Sequence, residues 1–219
     1  MTAGRFVTFE GGEGVGKSTQ LRRLAAWLKQ LGHEVVTTRE PGGSPRAETL
    51  RNVLLSGAAK RFGPVAETVL IASARADHVD HVIRPAIERG AIVLCDRFTD
   101  STRAYQGALG GVSAELLRTL EQVAAPGVAP DLTIMLDAPA ERGLARARRR
   151  SGEGAVADRF EAEDAAFHER LRDAFVAIAR AEPERCILVD AEGAEEDVAE
   201  RVWRAAREKL GLAMKETGA

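Results

Sequence analysis

Short apolar runs alternate along the chain with longer stretches in which apolar residues recur every three or four positions. The runs Phe6–Phe9, Glu34–Thr38, Ile92–Cys95, Leu132–Leu136 and Cys186–Val189 predict strands. The longer stretches predict helices over about Lys17–Leu31, Ala47–Leu55, Val65–Arg89, Ser113–Ala124, Pro139–Arg149, Glu163–Ala181 and Glu195–Leu210. Gly32 and Gly90 stop two of them. Arg84–Pro85 is expected to interrupt the third, because a proline inside a helix removes a backbone donor and crowds the preceding turn. Strands separated by helices of this length predict an α/β architecture with a parallel sheet. Two of the strands close on an aspartate, Asp96 and Asp137. Ser151–Ala157 is a small, Gly-containing breaker, and Arg146–Arg159 around it is the one segment with a composition of its own. We read about 146–162 as a lid within a single domain spanning 1–219, and Met214–Ala219 as a disordered tail.

Composition narrows the class. The 219 residues are 45% hydrophobic, enough for one compact core and hardly enough for two independent domains. Basic and acidic side chains nearly cancel, 31 against 33, so no global positive field binds nucleic acid by counterion release. No apolar run approaches the roughly 20 residues that a membrane span needs. Met1–Glu10 passes straight into strand-like alternation, so no secretory signal is expected. Cys95 and Cys186 fall in strand-like runs without metal spacing, and two buried thiols suit a reducing cytoplasm. His78 and His81 are three apart on one predicted helix without a third ligand nearby, and no histidine lies near the motifs below. The basic set is lopsided, with 26 arginines and 5 lysines. Genome composition accounts for that, and so does a need for forked guanidinium groups that grip phosphate oxygens in pairs.

Directly after the first predicted strand stands Gly11-Gly12-Glu13-Gly14-Val15-Gly16-Lys17-Ser18, a full match to GxxxxGK[ST]. The glycines let backbone N–H groups converge on phosphates, and the helix that begins near Lys17 adds the positive end of its dipole. Lys17 brings a mobile cation to the transferring group, and the Ser18 hydroxyl can ligate Mg²⁺. The strand–loop–helix context that this motif requires is present. An Asn-Lys-x-Asp motif for reading guanine is absent, and the chain is small for a motor or helicase. A small kinase fits.

Such an enzyme needs a second, anion-binding pocket. Thr38-Arg39-Glu40-Pro41-Gly42-Gly43 and Asp96-Arg97-Phe98 each follow a strand, at the carboxyl edge where open α/β sheets bind ligands. Asp96 reads as a water-mediated Mg²⁺ partner. Arg39 and Arg97, at neighbouring strand tips, could converge on one phosphate, although each alone reads equally well as half of a surface ion pair. Arg75 lies on the helix between the two segments.

Glu10–Thr19, Thr38–Gly43 and Asp96-Arg97-Phe98-Thr99-Asp100-Ser101-Thr102-Arg103-Ala104-Tyr105-Gln106-Gly107 together resemble the bacterial-type thymidylate kinases, a family of P-loop nucleoside monophosphate kinases. The likeness continues through Pro130-Asp131-Leu132-Thr133 into the Arg-rich segment and spans almost the whole chain. The resemblance implies a three-layer P-loop NTPase fold, a parallel sheet flanked by helices with a small Arg-rich lid. It implies transfer of the γ-phosphoryl group of ATP to dTMP, giving dTDP and ADP for dTTP synthesis, with Mg²⁺, in a cytoplasmic homodimer. Gly11, Gly12, Glu13, Gly14, Val15, Gly16, Lys17, Ser18 and Thr19 would bind ATP, and Ser18 and Asp96 the metal. Arg39 and Arg97, with Pro41 beside them, would hold the acceptor phosphate, and Glu13 would meet the sugar 3′-hydroxyl. Arg75 would contact a thymine carbonyl, and Thr102 and Gln106 other polar atoms of the base. The Tyr105 ring near C2′ would disfavour a ribose hydroxyl, a selection by exclusion. Where the family usually stacks a phenylalanine on thymine, this chain has Ile71.

Arg146, Arg148, Arg149, Arg150 and Arg159 crowd the predicted lid, and helix spacing puts 146 and 150 on one face. A solvated basic helix end accounts for one or two of them. The resemblance places an arginine of related enzymes at Gly14, so the lid would supply the catalytic cation: Arg150 and Arg159 joining Lys17 and Arg97, with Arg146 or Arg148 against adenine. A general base is not required, because a phosphate monoester with second pKa ≈ 6 is largely ionised at pH 7. The alternatives are a P-loop kinase for another nucleoside monophosphate or small metabolite, and a non-catalytic nucleotide sensor.

Overall fold

The computed structural model describes residues 4–151 and 163–211. Five strands, β1 (Arg5–Glu10), β2 (Val35–Arg39), β3 (Ile92–Asp96), β4 (Leu132–Asp137) and β5 (Cys186–Asp190), form one sheet in the order β2–β3–β1–β4–β5. Every neighbouring pair is parallel. The central strands β1, β3 and β4 are buried almost throughout, as strands covered on both faces must be, whereas the edge strands β2 and β5 are partly open. Register aligns Phe9 with Asp96 and Asp96 with Arg39, so the carboxyl ends of β1, β3 and β2 stand side by side. The chain reverses its winding between β1 and β4, the place where such sheets leave a crevice.

Two helical layers cover the sheet. On one face α1 (Lys17–Gln30) and α9 (Glu195–Leu210) pack Leu24, Leu28 and Val202 onto Val7, Phe9, Leu94 and Ile134. The other face carries two clusters. Ile83, Phe98 and Val79 meet Phe6 and Val93 in one, and Tyr105, Leu171 and Phe175 meet Met135 in the other. The second cluster depends on α8 (Ala165–Ala181), whose first turn is capped by the Asp164 side chain accepting from the Phe167 backbone N–H at 2.7 Å.

The helices α2 (Pro45–Leu55), α6 (Ala114–Ala124) and α7 (Ala140–Ser151) fall where the periodicity predicts, within two residues at each end. Two stretches differ. The third predicted helix starts earlier, as α3 (Gly63–His78), and passes through a π-helical turn, Val79–Ile83, into α4 (Arg84–Glu88). The disturbance expected at Arg84–Pro85 is thus taken up one turn upstream, where a widened turn makes room for the proline ring without ending the helix. The segment after β3, treated above only as a motif, is helical: α5 (Thr99–Thr102) continues as a π-helical turn, Arg103–Leu109. The tail 214–219 and most of the expected lid, residues 152–162, lie outside the described residues. Among the described residues no helix is long and apolar enough to cross a membrane.

Candidate active site

Glycines at positive φ, Gly11 (130°), Gly14 (65°) and Gly16 (100°), turn the chain from β1 into α1. At Gly14 a Cβ would lie 1.9 Å from the Gly143 carbonyl oxygen, and at Gly143 one would lie 2.2 Å from that of Glu13. The loop and α7 therefore touch backbone to backbone. That contact explains why no arginine can occupy position 14 here. Lys17 Nζ donates to the carbonyls of Gly12 (2.6 Å) and Gly11 (3.1 Å). Burial, with Arg97 adding to it, pulls the Lys17 ammonium down to about 8. Ser18 Oγ donates to Asp96 Oδ2 at 2.5 Å, which brings a hydroxyl and a carboxylate together at the mouth of the loop.

Arg97 has φ 70°, the sole non-glycine at positive φ among the described residues. Three groups hold this turn. The Arg97 N–H donates to Phe9 O at 2.9 Å, and Cys95 Sγ donates to Arg97 O at 3.0 Å. The buried Glu10 carboxylate accepts from the Phe98 N–H at 2.7 Å and from Ser101 Oγ at 2.6 Å. Burial and the nearby Asp100 push Glu10 up to about 7. So fixed, the Arg97 guanidinium donates to the Glu13 carboxylate, to Gly11 O (3.3 Å) and to Ser101 Oγ (3.2 Å). Tyr105 Oη donates to the same Glu13 oxygen at 2.7 Å. Burial raises the Glu13 carboxyl, but Arg97, Lys17 and the Tyr105 hydrogen bond outweigh it and hold the group at about 2. Glu13 is ionised at neutral pH.

Beyond Arg97 the cleft is walled by α3, where Glu67, Ile71 and Arg75 recur every fourth residue and share one face. Arg75 is 3% exposed. Its Nε donates to Glu40 Oε2 at 2.7 Å and its Nη2 to Thr102 Oγ1 at 2.9 Å, and its guanidinium lies over the Phe98 ring at 5.0 Å. The other Glu40 oxygen meets His78 Nδ1 at 3.0 Å, and His78 Nε2 meets Thr38 Oγ1 at 2.6 Å. Gln106 Nε2 donates to Glu67 Oε1 at 3.1 Å.

These parts enclose one open cavity of about 380 Å³. Glu13, Gly14, Gly16, Lys17, Ser18, Thr19 and Asp96 line one end, and Arg39, Pro41, Ile71, Arg75, Arg97, Thr102, Tyr105 and Gln106 the remainder. Arg39 and Arg97 thus share a cavity, with Arg39 half-exposed and held by both Glu48 oxygens at 3.0 Å. Gly11, Gly12 and Val15 do not line this cavity. Arg146 donates to Ala191 O at 3.4 Å, on the β5 side of the loop. The side chains of Arg148 and Arg150, and all of Arg159, lie outside the described residues.

Several expectations need correction. Histidines do lie near the motifs: His78 braces Thr38–Gly43 through Glu40, and His168 is buried close enough to Glu13 to bias its charge. Arg22, one of the helical arginines that carry no motif, lines the cavity and donates to Ser18 O at 3.1 Å. Glu10, Glu40, Glu67 and Cys95 had no role assigned. A usable signal existed for two of them. Arg22 stands four residues after Ser18, and Glu67 four before Ile71, so both share a helix face with a residue already chosen.

The thymidylate kinase family model matches residues 9–202. A thymidylate kinase of Caulobacter vibrioides is 54% identical over 212 residues, 97% of this chain and 100% of that one. One from a Bradyrhizobium species is 56% identical, covering 96% of this chain and 93% of its own. The crystal structure of thymidylate kinase from Ehrlichia chaffeensis superposes with a TM-score of 0.73 at 31% identity, covering 94% of this chain and 99% of that one.

Proposed function

The chain belongs to the thymidylate kinase family, its reaction is the ATP-dependent phosphorylation of dTMP to dTDP on the way to dTTP, and we propose the following roles for the residues of its cleft. Lys17 neutralises charge on the transferring γ-phosphoryl group, and the N–H groups of Gly11–Thr19 cradle the triphosphate. Arg39 and Arg97 grip the acceptor phosphate, Arg97 from a turn whose strained backbone sets its direction. Glu13, ionised and aimed by Arg97 and Tyr105, accepts from the sugar 3′-hydroxyl. Tyr105 stands where a ribose 2′-hydroxyl would collide, and Arg75, Thr102 and Gln106 read the base over Ile71.

Ser18 Oγ and Asp96 are hard oxygen donors of the kind that Mg²⁺ takes, and they would hold it there. Bound, the ion supplies charge neutralisation on the phosphate oxygens. The observation that carries the reading is the convergence of Lys17, Ser18, Asp96, Arg39 and Arg97 on one cavity, with a polar, walled extension for a base behind them. No general base is needed, since the acceptor is a phosphate oxygen that is already ionised. What remains is alignment of two anions and exclusion of water.

The cation for bridging donor and acceptor phosphates comes from the lid, with Arg150 and Arg159 in that role and Arg146 or Arg148 against adenine. The contact of Gly14 with Gly143 favours this, because α7 leads from the loop directly to that segment. The enzyme is a cytoplasmic homodimer built from a single domain. Phe62, Val65 and Val69 favour the dimer: Val65 and Val69 on α3, off the face that carries Glu67, Ile71 and Arg75, and Phe62 in the turn just before it are exposed apolar side chains, 50%, 44% and 63% exposed. ADP release measured with a panel of monophosphates tests the whole. Release dependent on dTMP supports it, release with another acceptor redirects the specificity, and none makes the protein a nucleotide sensor.

A further inference from the structure

Gln106 and Glu67 are both buried at the base end of the cleft, 5% and 3% exposed, on elements brought together only by folding. A carboxylate can accept hydrogen bonds but not donate them, so the Gln106 amide must turn its nitrogen toward Glu67, as the 3.1 Å contact from Nε2 to Oε1 has it. The amide oxygen is then the end left for the cavity, and among the described residues it has no protein donor. Arg75 is fixed in the opposite sense. Glu40 and Thr102 take its Nε and Nη2, which leaves Nη1 as a donor on the cavity side.

The base end thus offers one donor from Arg75 and one acceptor from Gln106. An imide-type pyrimidine edge carries a carbonyl acceptor beside a ring N–H donor and matches that pair. An aminopyrimidine edge carries an amino donor beside a ring-nitrogen acceptor, and both of its groups meet their own kind. We infer that Glu67 is a specificity-determining positioning residue, which locks the polarity of the Gln106 amide and so selects keto over amino pyrimidine monophosphates. It does this without touching the substrate. The inference rests on the reading of this cleft as the acceptor site. Discrimination of this kind is large, because the wrong edge leaves buried polar groups unpaired.

The test is the ratio of kcat/KM for dTMP to that for dCMP. Glu67→Gln keeps the shape but can donate as well as accept, so the Gln106 amide can turn either way. The ratio should fall at least about tenfold, through a loss with dTMP and a gain with dCMP. Glu67→Met removes the acceptor altogether and should act in the same direction. Glu67→Asp keeps one-way acceptance and should retain the preference even if its activity drops. A merely structural role for Glu67 would lower both substrates together and leave the ratio unchanged, and that result in folded Glu67→Gln or Glu67→Met overturns the inference. Failure of the underlying reading looks different: the wild-type enzyme would then release no ADP with dTMP.

Discussion

The two ends of the cleft are built in different ways. The triphosphate end is a contiguous stretch, Gly11–Ser18, in which backbone N–H groups and one lysine do the recognising, braced from elsewhere in the chain by Asp96 at Ser18 and by Arg97 at the Gly11 carbonyl. The base end is a patchwork of side chains from β2, α3, α5 and the turn after it, each held by a buried partner: Arg75 by Glu40 and Thr102, Glu40 by His78, Gln106 by Glu67. Phosphate is the same at every angle and tolerates a mobile cation. A base edge is a fixed pattern of donors and acceptors, so its readers must be immobilised. Glu13, Arg97 and Tyr105 join the two ends.

Substitutions should therefore split into losses of rate and losses of stability. Lys17→Met should lower kcat by about 10³-fold or more while leaving Tm unchanged or higher, since a buried ammonium leaves the fold. An effect confined to KM would mean that the triphosphate end only binds. Glu40→Ala should do the reverse. It strands the buried Arg75 charge, at a cost of about 3–5 kcal/mol, or roughly 10 °C in Tm by thermal unfolding. A Tm within 2 °C of wild type (about 1 kcal/mol or less) would erase the distinction between the ends.

Two acids three residues apart should answer pH in opposite directions. Glu10 is raised by burial to about 7 from an ordinary 4.5, so its contribution to stability is full below about 4.5 and is lost as pH rises through 7. Glu13 is held at about 2, so its contribution is full above 4.5 and is lost as pH falls toward 2. Tm measured from pH 5 to 8 should fall by several degrees in the wild type, and Glu10→Gln should flatten that slope. The smallest effect expected is at Ile71. Replacing it with Phe should lower the KM for dTMP by up to about tenfold through base stacking. An unchanged or raised KM would mean that Ile71 does not face the base.

Legibility in the sequence followed the same division. The strands, most of the helices and the phosphate loop were readable because each is encoded by neighbouring residues and a period or a motif. The helix Thr99–Leu109 was not, because its residues are mostly polar or small and it is held in place by tertiary partners. Asp100 binds Arg185 through both oxygens at 2.7 Å, and Arg103 binds Glu121 and Glu182. Glu40 and His78 looked like a turn residue and an isolated imidazole, since a buried hydrogen bond between residues 38 apart leaves no local mark.

By itself the sequence determined the α/β architecture, the triphosphate loop and, through resemblance, the acceptor. Hydrophobic period, glycine placement and helix dipoles are local properties that survive without coordinates. Only the tertiary structure decided which way each side chain of the acceptor end faces. The polarity of Gln106, the charge of Glu13 and the turn that aims Arg97 are each set by partners distant in the chain, and burial makes those partners matter by removing the water that would otherwise satisfy either orientation.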